Sequence, residues 1–519
     1  MKNIVNIIHF VRAVEPREGR EIDLPGTLRE ELELGRKYGF PATVLLQYDA
    51  LILPEYIALL EEYRDQIEAG LWLEVVQPMA EEAGIPWRGR WAWDWHTDVG
   101  FLVGYLPEER KRLIDVAFQR FREILGYFPQ VAGSWHIDAL SLAYMKERYG
   151  IAASCNCKDQ YGTDGYTMWG GYYNGAYYPS RMNMLCPAQT RENQIDVPVF
   201  RMLGADPIHQ YDLGLGEPGG YNPSNCQGVA SMEPVYAGSG GSKDWVRWYL
   251  DENFNGKSLS LAYTQVGQEN SFGWQEIKKG LCMQYELLKE YAAGGKIELM
   301  TLGESGRWFS GHYAQTPPAA MCIDRDHGAA GNKTVWYNDR FYRLNLLYQD
   351  GMLWVRDLYL FDELFAEKYL DQREPKNQCA FYNLPVMDGF RFSLGSIRAG
   401  LYPCQNGQKL AFSEEPYWSR AEGNDTVCAG LGERLCYCAQ PGQVGIRCTE
   451  QDWYLAFAFA ETAQTPYREV LPKELHLSFA GGTENPYAYS LRLKKGRFVR
   501  DGQGLRCLPE DGEIILLAR

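Results

Sequence analysis

What most constrains this chain is a rhythm: apolar, strand-like runs alternate with amphipathic helical runs through roughly the first 300 residues. Ile4–Phe10 reads as a strand. Thr27, with Glu30 three residues on, carries a capping-box signature and opens a helix through Tyr38. Ala42–Asp49 is a second strand, and Pro54 sits at a first helical turn whose face carries Ile57, Leu60 and Tyr63. Gly70–Gln77 is a third strand, interrupted by Glu74; Pro107 then starts a long helix bearing Leu113, Val116, Phe118 and Phe121. Val131–Trp135, Ile151–Cys155, Ile195–Met202, Leu259–Gln265 and Ile297–Leu302 continue the strands. Helices to Tyr149, over Trp245–Asn253 and over Trp274–Ala293 lie between them. Repeated β-then-α units predict a parallel sheet with helices outside, and their number favours a (β/α)7-8 barrel over an open sheet.

The character changes near residues 310–330, where Pro317-Pro318, Gly328 and Gly331 form a loop. Beyond it the runs are short and β-type, such as Thr334–Tyr337, Gly351–Tyr359 and Trp453–Phe459, with Gly, Pro and Asn turns between them. That pattern predicts a C-terminal antiparallel β-sandwich domain. The expected division is 1–325 for a catalytic barrel and 326–519 for the sandwich.

The 52 Lys and Arg set against 67 Asp and Glu leave a net charge of −15, which argues against nucleic acid or an anionic membrane as partner. No 18-residue apolar run is present, and the amino terminus has neither an apolar h-region nor a small-residue cleavage site. A cytoplasmic location is therefore expected, with an oligomer left open. The 13 cysteines, an odd number, read as reduced. Cys155-Asn156-Cys157 and Cys436-Tyr437-Cys438 have no CxxC or Cys/His partner at zinc-finger spacing, so no structural metal and no cofactor is expected.

In a parallel barrel, reactive groups sit at the carboxyl ends of the strands. Those ends offer Arg12 and Glu15; Gln47 and Asp49; Glu74; Asp94, His96 and Asp98; His136 and Asp138; Asp206, His209 and Asp212; Gln268 and Glu269; Glu304 and Arg307. Trp91 to Phe101, with tryptophans at 91, 93 and 95, reads as a short strand whose indoles share one face. Indole faces stack on sugar C–H surfaces while carboxylates bind hydroxyls or move protons; the bland alternative is a packed aromatic cluster. Residues 156–194, rich in Tyr and Gly around Trp169, read as a substrate-facing wall or a self-packed surface loop. No GxSxG elbow or phosphate-binding glycine loop stands out, which leaves paired carboxylates or a metal held by His and Asp.

Tyr105–Ile151 resembles the glycoside hydrolase/deacetylase superfamily of (β/α)-barrels. The matching features are Pro107-Glu108-Glu109 opening a helix, Leu125-Gly126-Tyr127-Phe128-Pro129, the strand Val131–Trp135, and Met145-Lys146-Glu147-Arg148-Tyr149-Gly150-Ile151. Gly39–Val44 and Gly70–Glu74 resemble the superfamily's second and third strands. Deacetylases of this fold place an Asp pair after the first strand and a His-x-x-x-His motif after the third. Here the chain has His9-Phe10-Val11-Arg12 and then Trp72, Glu74 and Gln77, so the metal motif is lost and a metal-independent glycosidase is implied.

Such an enzyme needs two carboxyl groups, about 5–5.5 Å apart for retention or roughly 6.5–9.5 Å for inversion. Asp138 is the first candidate and Glu269 the second, with Glu74 and Asp94 in reserve and their roles unassigned. Arg12, Gln47, Asp49, Trp93, Trp95, His96, Asp98, Trp135, His136, Trp169, Gln268 and Arg307 are the candidate binders of a small carbohydrate. Asp138 reads equally as a helix N-cap. His96-Thr97-Asp98 is similar to the metal clusters of zinc alpha-mannosidases, which keeps a metal-dependent deacetylase or zinc glycosidase as an alternative. A non-catalytic carbohydrate-binding protein is the third reading.

Overall fold

The computed structural model describes residues 2–17, 19, 21–213, 227–421 and 425–518. Parallel strands β1 (Lys2–Val11), β2 (Ala42–Leu46), β3 (Ile67–Trp72), β4 (Val131–Gly133), β5 (Ala153–Cys157), β6 (Val199–Met202) and β7 (Leu261–Val266) form a nearly closed barrel. β1 pairs with β2 on one side and β7 on the other. Pairing then runs from β2 through β3, β4 and β5 to β6. At the β6/β7 seam the Leu203 amide donates to Oε1 of Gln265 at 3.0 Å. An eighth strand, β8 (Glu298–Met300), pairs only with Ile4–Asn6 at the amino-terminal half of β1. Strands such as β2 and β7 are buried along their whole length, as the continuous apolar runs of a sheet covered on both faces require.

Helices α1 (Leu24–Tyr38), α2 (Pro54–Glu62), α3 (Pro107–Leu125), α4 (Ala139–Tyr149), α5 (Lys243–Asn253), α6 (Trp274–Ala293) and α7 (Leu302–His312) are the main helices between and after the strands. α1 starts earlier than the Thr27/Glu30 signature suggested. Asp23 is the N-cap and accepts from the Gly26 amide, while Thr27 donates to the Asp23 carbonyl and accepts from the Trp274 amide. Among the described residues, no helix is long and apolar enough to cross a membrane.

The second part is a sandwich of two antiparallel sheets. Val335, Leu344, Val355, Leu401 and Leu455 of one sheet share a core with Val427, Tyr437, Ile446, Leu475 and Ile514 of the other. Its first strand is already Ala319–Ile323, paired with Lys333–Asn338, so the sheets divide the chain between His312 and Ala319, slightly before the 325/326 boundary read from composition.

Three other expectations need correction. The Trp91–Phe101 stretch is not a strand but a loop with isolated bridges from Trp93 to Val76 and from Phe101 to Glu74, and with a short helix, Thr97–Gly100, between them. Trp91 is exposed and stacks on Trp95, while Trp93 is buried, so the three indoles do not share a face. The aromatic loop is mostly an internal joint. Its strand Tyr166–Trp169 pairs in parallel with Cys379–Tyr382, and Trp169, Tyr172 and Tyr177 are buried. The cysteines are not all reduced, since Cys428 and Cys438, opposite each other on neighbouring strands, form a disulfide.

A polar cavity at the carboxyl end of the barrel

A cavity of about 260 Å³ opens where the carboxyl ends of the barrel strands meet. Its aromatic wall is Trp93, Trp95, Phe101 and Trp135; Phe10, Trp72 and Trp135 pack with ring centroids 4.4–5.4 Å apart beneath it. Its polar lining includes Arg12, Arg17, Glu74, Gln160, Asp164, Glu233 and Glu269.

Local geometry explains why these groups converge. Phe10 bridges to Glu269 in parallel, extending β1 against the loop after β7. Gly267, at φ +105°, allows this approach, because a Cβ there would stand 2.1 Å from the Ile8 carbonyl oxygen. Asn270 then clamps Arg12, accepting from its amide at 3.0 Å and donating to its carbonyl at 2.9 Å. Glu74 lies two residues past the end of β3, bridged to Phe101. On the opposite wall the chain leaves β6 through Leu203, held at φ +73°, a conformation unusual for a leucine and commonest at functional sites. The Met232 amide donates to the Leu203 carbonyl at 2.8 Å, which sets Glu233 into the cavity.

The carboxylates divide into two groups. Arg12 Nη2 lies 2.8 Å from Glu269 and 3.6 Å from Glu74, and its Nη1 lies 3.3 Å from Glu15. Arg17 Nη2 lies 2.6 Å from Glu15 and 3.6 Å from Glu269, and both guanidinium groups sit over the Trp93 ring. Burial works against the Glu15 carboxylate, but the hydrogen bond from Arg17 and the charges of Arg12 and Arg17 outweigh it and hold Glu15 below its usual range. Glu74, fully buried, is pushed up by desolvation despite Arg12, and accepts from Gln47 at 2.7 Å. Among the described residues, Glu233 has no guanidinium partner within ion-pair distance. Burial, opposed by the Ser231 hydroxyl at 2.8 Å and by Lys158, raises it to about 7, so its proton titrates near neutrality. Asp164, at φ +53°, stands open at the rim, and the crowding around it together with Glu269 raises its carboxyl too.

The structure thus brings Arg12, Glu74, Trp93, Trp95, Trp135 and Glu269 to one cavity. Gln47 supports Glu74, and Asp49 accepts from the Ala13 and Ala50 amides, its carboxyl raised to about 6 by burial. The remaining candidates lie elsewhere. Asp138 is the N-cap of α4, fully buried, accepting from Ser141 and paired with Arg110 at 3.1 Å. Asp94 accepts from the Arg90 side chain and amide and from the His96 amide. Burial notwithstanding, those bonds lower it to about 2, which leaves it no role as a proton donor. His96 caps the short helix that carries Asp98 in its first turn. His136 is buried between Phe101, Tyr166 and Phe381, and desolvation lowers it to about 3. Trp169 packs on Tyr211 and Phe390 at the domain junction and donates to Asp388. Gln268 is buried beneath the rim, and Arg307 lies near Glu68 at the opposite, amino-terminal end of β3.

Arg17, Asp164 and Glu233 were not among the candidates. They come from long excursions after β1, β5 and β6, where distance from the strand end carries no information about position. The one local signal was Ser231-Met232-Glu233, a hydroxyl and a carboxylate flanking an apolar residue.

Zinc deacetylases and mannosidases of this barrel type imply a divalent cation, but the donors here do not fit one. The cavity lining has no imidazole, and Arg12 and Arg17 occupy the centre of its Glu15/Glu74/Glu269 group.

Known proteins were compared with this architecture. The barrel fold is shared with a solved structure described as a glycoside hydrolase/deacetylase. A candidate glycoside hydrolase/deacetylase from Parabacteroides distasonis superposes with a TM-score of 0.53 at 16% identity, covering 76% of this chain and 92% of that one. A candidate polysaccharide deacetylase from Mycobacterium smegmatis gives a TM-score of 0.37 at 11% identity, covering 60% and 91%. Residues 95–325 match a family described as a domain of unknown function with a solved structure, DUF3863. No curated protein matches the chain.

Proposed function

We propose that this chain is a carbohydrate-active hydrolase that cleaves the glycosidic bond of a small oligosaccharide or glycoside. The observation that carries the proposal is the convergence of Glu269, Glu74, Glu233 and Asp164 on one indole-walled cavity at the carboxyl end of a parallel barrel. In this reading Glu233, whose burial raises it to about 7, gives its proton to the leaving oxygen. Glu269, ion-paired to Arg12 and Arg17, is the anionic partner that faces the developing positive charge at the sugar carbon. Trp95 and Trp135, both half-buried, offer ring faces to the sugar. A cavity of about 260 Å³ restricts the substrate to a short one, since ligand pockets commonly run from about 300 to 1,000 Å³.

The test is a panel of aryl glycosides in both anomeric forms, run beside acetylated sugars and with a strong chelator in one arm. Aryl release that survives the chelator supports glycosidase action. Acetate release without aryl release overturns it, and tight sugar binding without either product would make the chain a binding protein.

A further inference from the structure

The outer face of the sandwich carries a second concentration of chemistry, unrelated to the barrel mouth. Strands Pro416–Ala421, Thr426–Leu431, Leu435–Gln440 and Gln443–Cys448 lie side by side in one sheet. Their register forms two rows: Tyr417, Gly430, Cys436 and Arg447 in one, and Ser419, Cys428, Cys438 and Gly445 in the other. Along Leu435–Gln440, burial alternates, with Leu435, Tyr437 and Ala439 in the core and Cys436 and Cys438 on the other face. Cys428 joins them from the neighbouring strand, so a CxC pair acquires a third sulfur that sequence spacing does not reveal. The three sulfurs lie within 4.8 Å of one another, and Cys436 Sγ stands 3.8 Å from Cys438 Sγ. Thiolates bound to zinc at about 2.3 Å and near-tetrahedral angles stand roughly 3.8 Å apart. Glycine at 445 leaves the space beside Cys438 open, since a Cβ there would meet nothing closer than 4.0 Å.

We propose that, once reduced, Cys428, Cys436 and Cys438 bind one zinc-type cation as a three-thiolate site with a solvent-facing fourth position, and that the Cys428–Cys438 disulfide closes it. A dithiol reductant opens the disulfide to two thiols and is itself oxidised to its cyclic disulfide. The three thiols then release three protons to solvent as their sulfurs take the divalent ion. In the reverse exchange a cyclic disulfide takes the two electrons and, with two protons from solvent, becomes the dithiol, so that Cys428 and Cys438 rejoin and two of the three ligands are removed. The site therefore links metal occupancy to the redox poise around the sandwich, independently of the chemistry at the barrel mouth.

The test uses the full chain, reduced with a phosphine, stripped with a chelator, and titrated with cobalt(II) and then zinc(II). The expected result is one cobalt per chain with intense thiolate-to-cobalt absorption, displaced by zinc, and no such absorption in the unreduced protein. Cys436→Ser should weaken zinc binding ~10-fold or more, since even outer-shell losses cost about 10–100-fold. Cys282→Ser, on α6 far from the sandwich, should leave binding unchanged. Thermal melts of both variants, whose cysteines are only partly buried, confirm folding. Absence of stoichiometric cobalt absorption in the reduced protein, or wild-type zinc affinity in a folded Cys436→Ser chain, overturns the proposal.

Discussion

Two buried ionic clusters lie in this molecule, and they differ in one telling respect. Between barrel and sandwich, Arg343 pairs with Asp159 and with Asp357 at 2.6 Å, and Arg201 pairs with Asp159 at 2.5 Å. Tyr211 donates to Asp357, and Trp169 and Tyr359 donate to Asp388. All of these groups are buried, and each charged or hydroxyl group is paired with another member of the cluster. At the barrel mouth, Arg12 and Arg17 likewise hold Glu15, Glu74 and Glu269, but the cluster faces a cavity, and Glu233 and Asp164 have no ion-pair partner among the described residues. Closed networks of this kind fix how two bodies sit together, whereas an open one with a carboxyl titrating near neutrality is arranged for a visitor.

The largest effect should come from the open cluster. Glu233→Gln is expected to lower kcat/KM by about 10²–10⁴-fold on the best glycoside, with the melting temperature held. Next, Arg343→Met breaks the closed cluster and strands Asp159 and Asp357. It should lower unfolding free energy by about 3–5 kcal/mol, read by denaturant titration, while the folded fraction keeps its kcat. If Arg343→Met abolished turnover without loss of stability, the contrast between the clusters would collapse.

pH sharpens the comparison further. With Glu233 raised to about 7, wild-type kcat/KM should fall as pH rises through about 7, and Glu233→Gln should lack that limb. The sign for stability is the same. A carboxyl raised above its ordinary 4.5 contributes stability that is complete below 4.5 and lost as pH climbs through about 7, so Glu233→Gln should flatten unfolding curves across that window. Trp95→Ala, which removes one ring face, should raise KM about 3–10-fold with little change in kcat, as loss of roughly 0.5–1.5 kcal/mol of aromatic contact implies. The smallest effect is expected for Asp94→Asn. Its carboxylate serves the Arg90 turn and not the cavity, so steady-state kinetics should stay within about threefold of wild type.

The barrel was legible because β1, β2, β5 and α3 each carry a clear period, and the sandwich because its turns recur without one. Strand-end logic located Arg12, Glu74 and Glu269, since each follows its strand within a few residues. The same logic misplaced Asp138, because a strand-end acid that begins a helix satisfies the helix first, and it misplaced Trp169, whose loop is spent on joining the domains. Glu233 was beyond reach for a different reason. It depends on the turn at Leu203, a left-handed backbone at a residue whose type gives no hint of it.

The most direct test of the central claim is affinity labelling with an epoxyalkyl glycoside chosen from the active sugars, followed by peptide mapping. The account predicts one label per inactivated chain, on Glu269, Glu74, Glu233 or Asp164, with competing sugar protecting. Stoichiometric inactivation with the label on the sandwich or on Asp138 would contradict it.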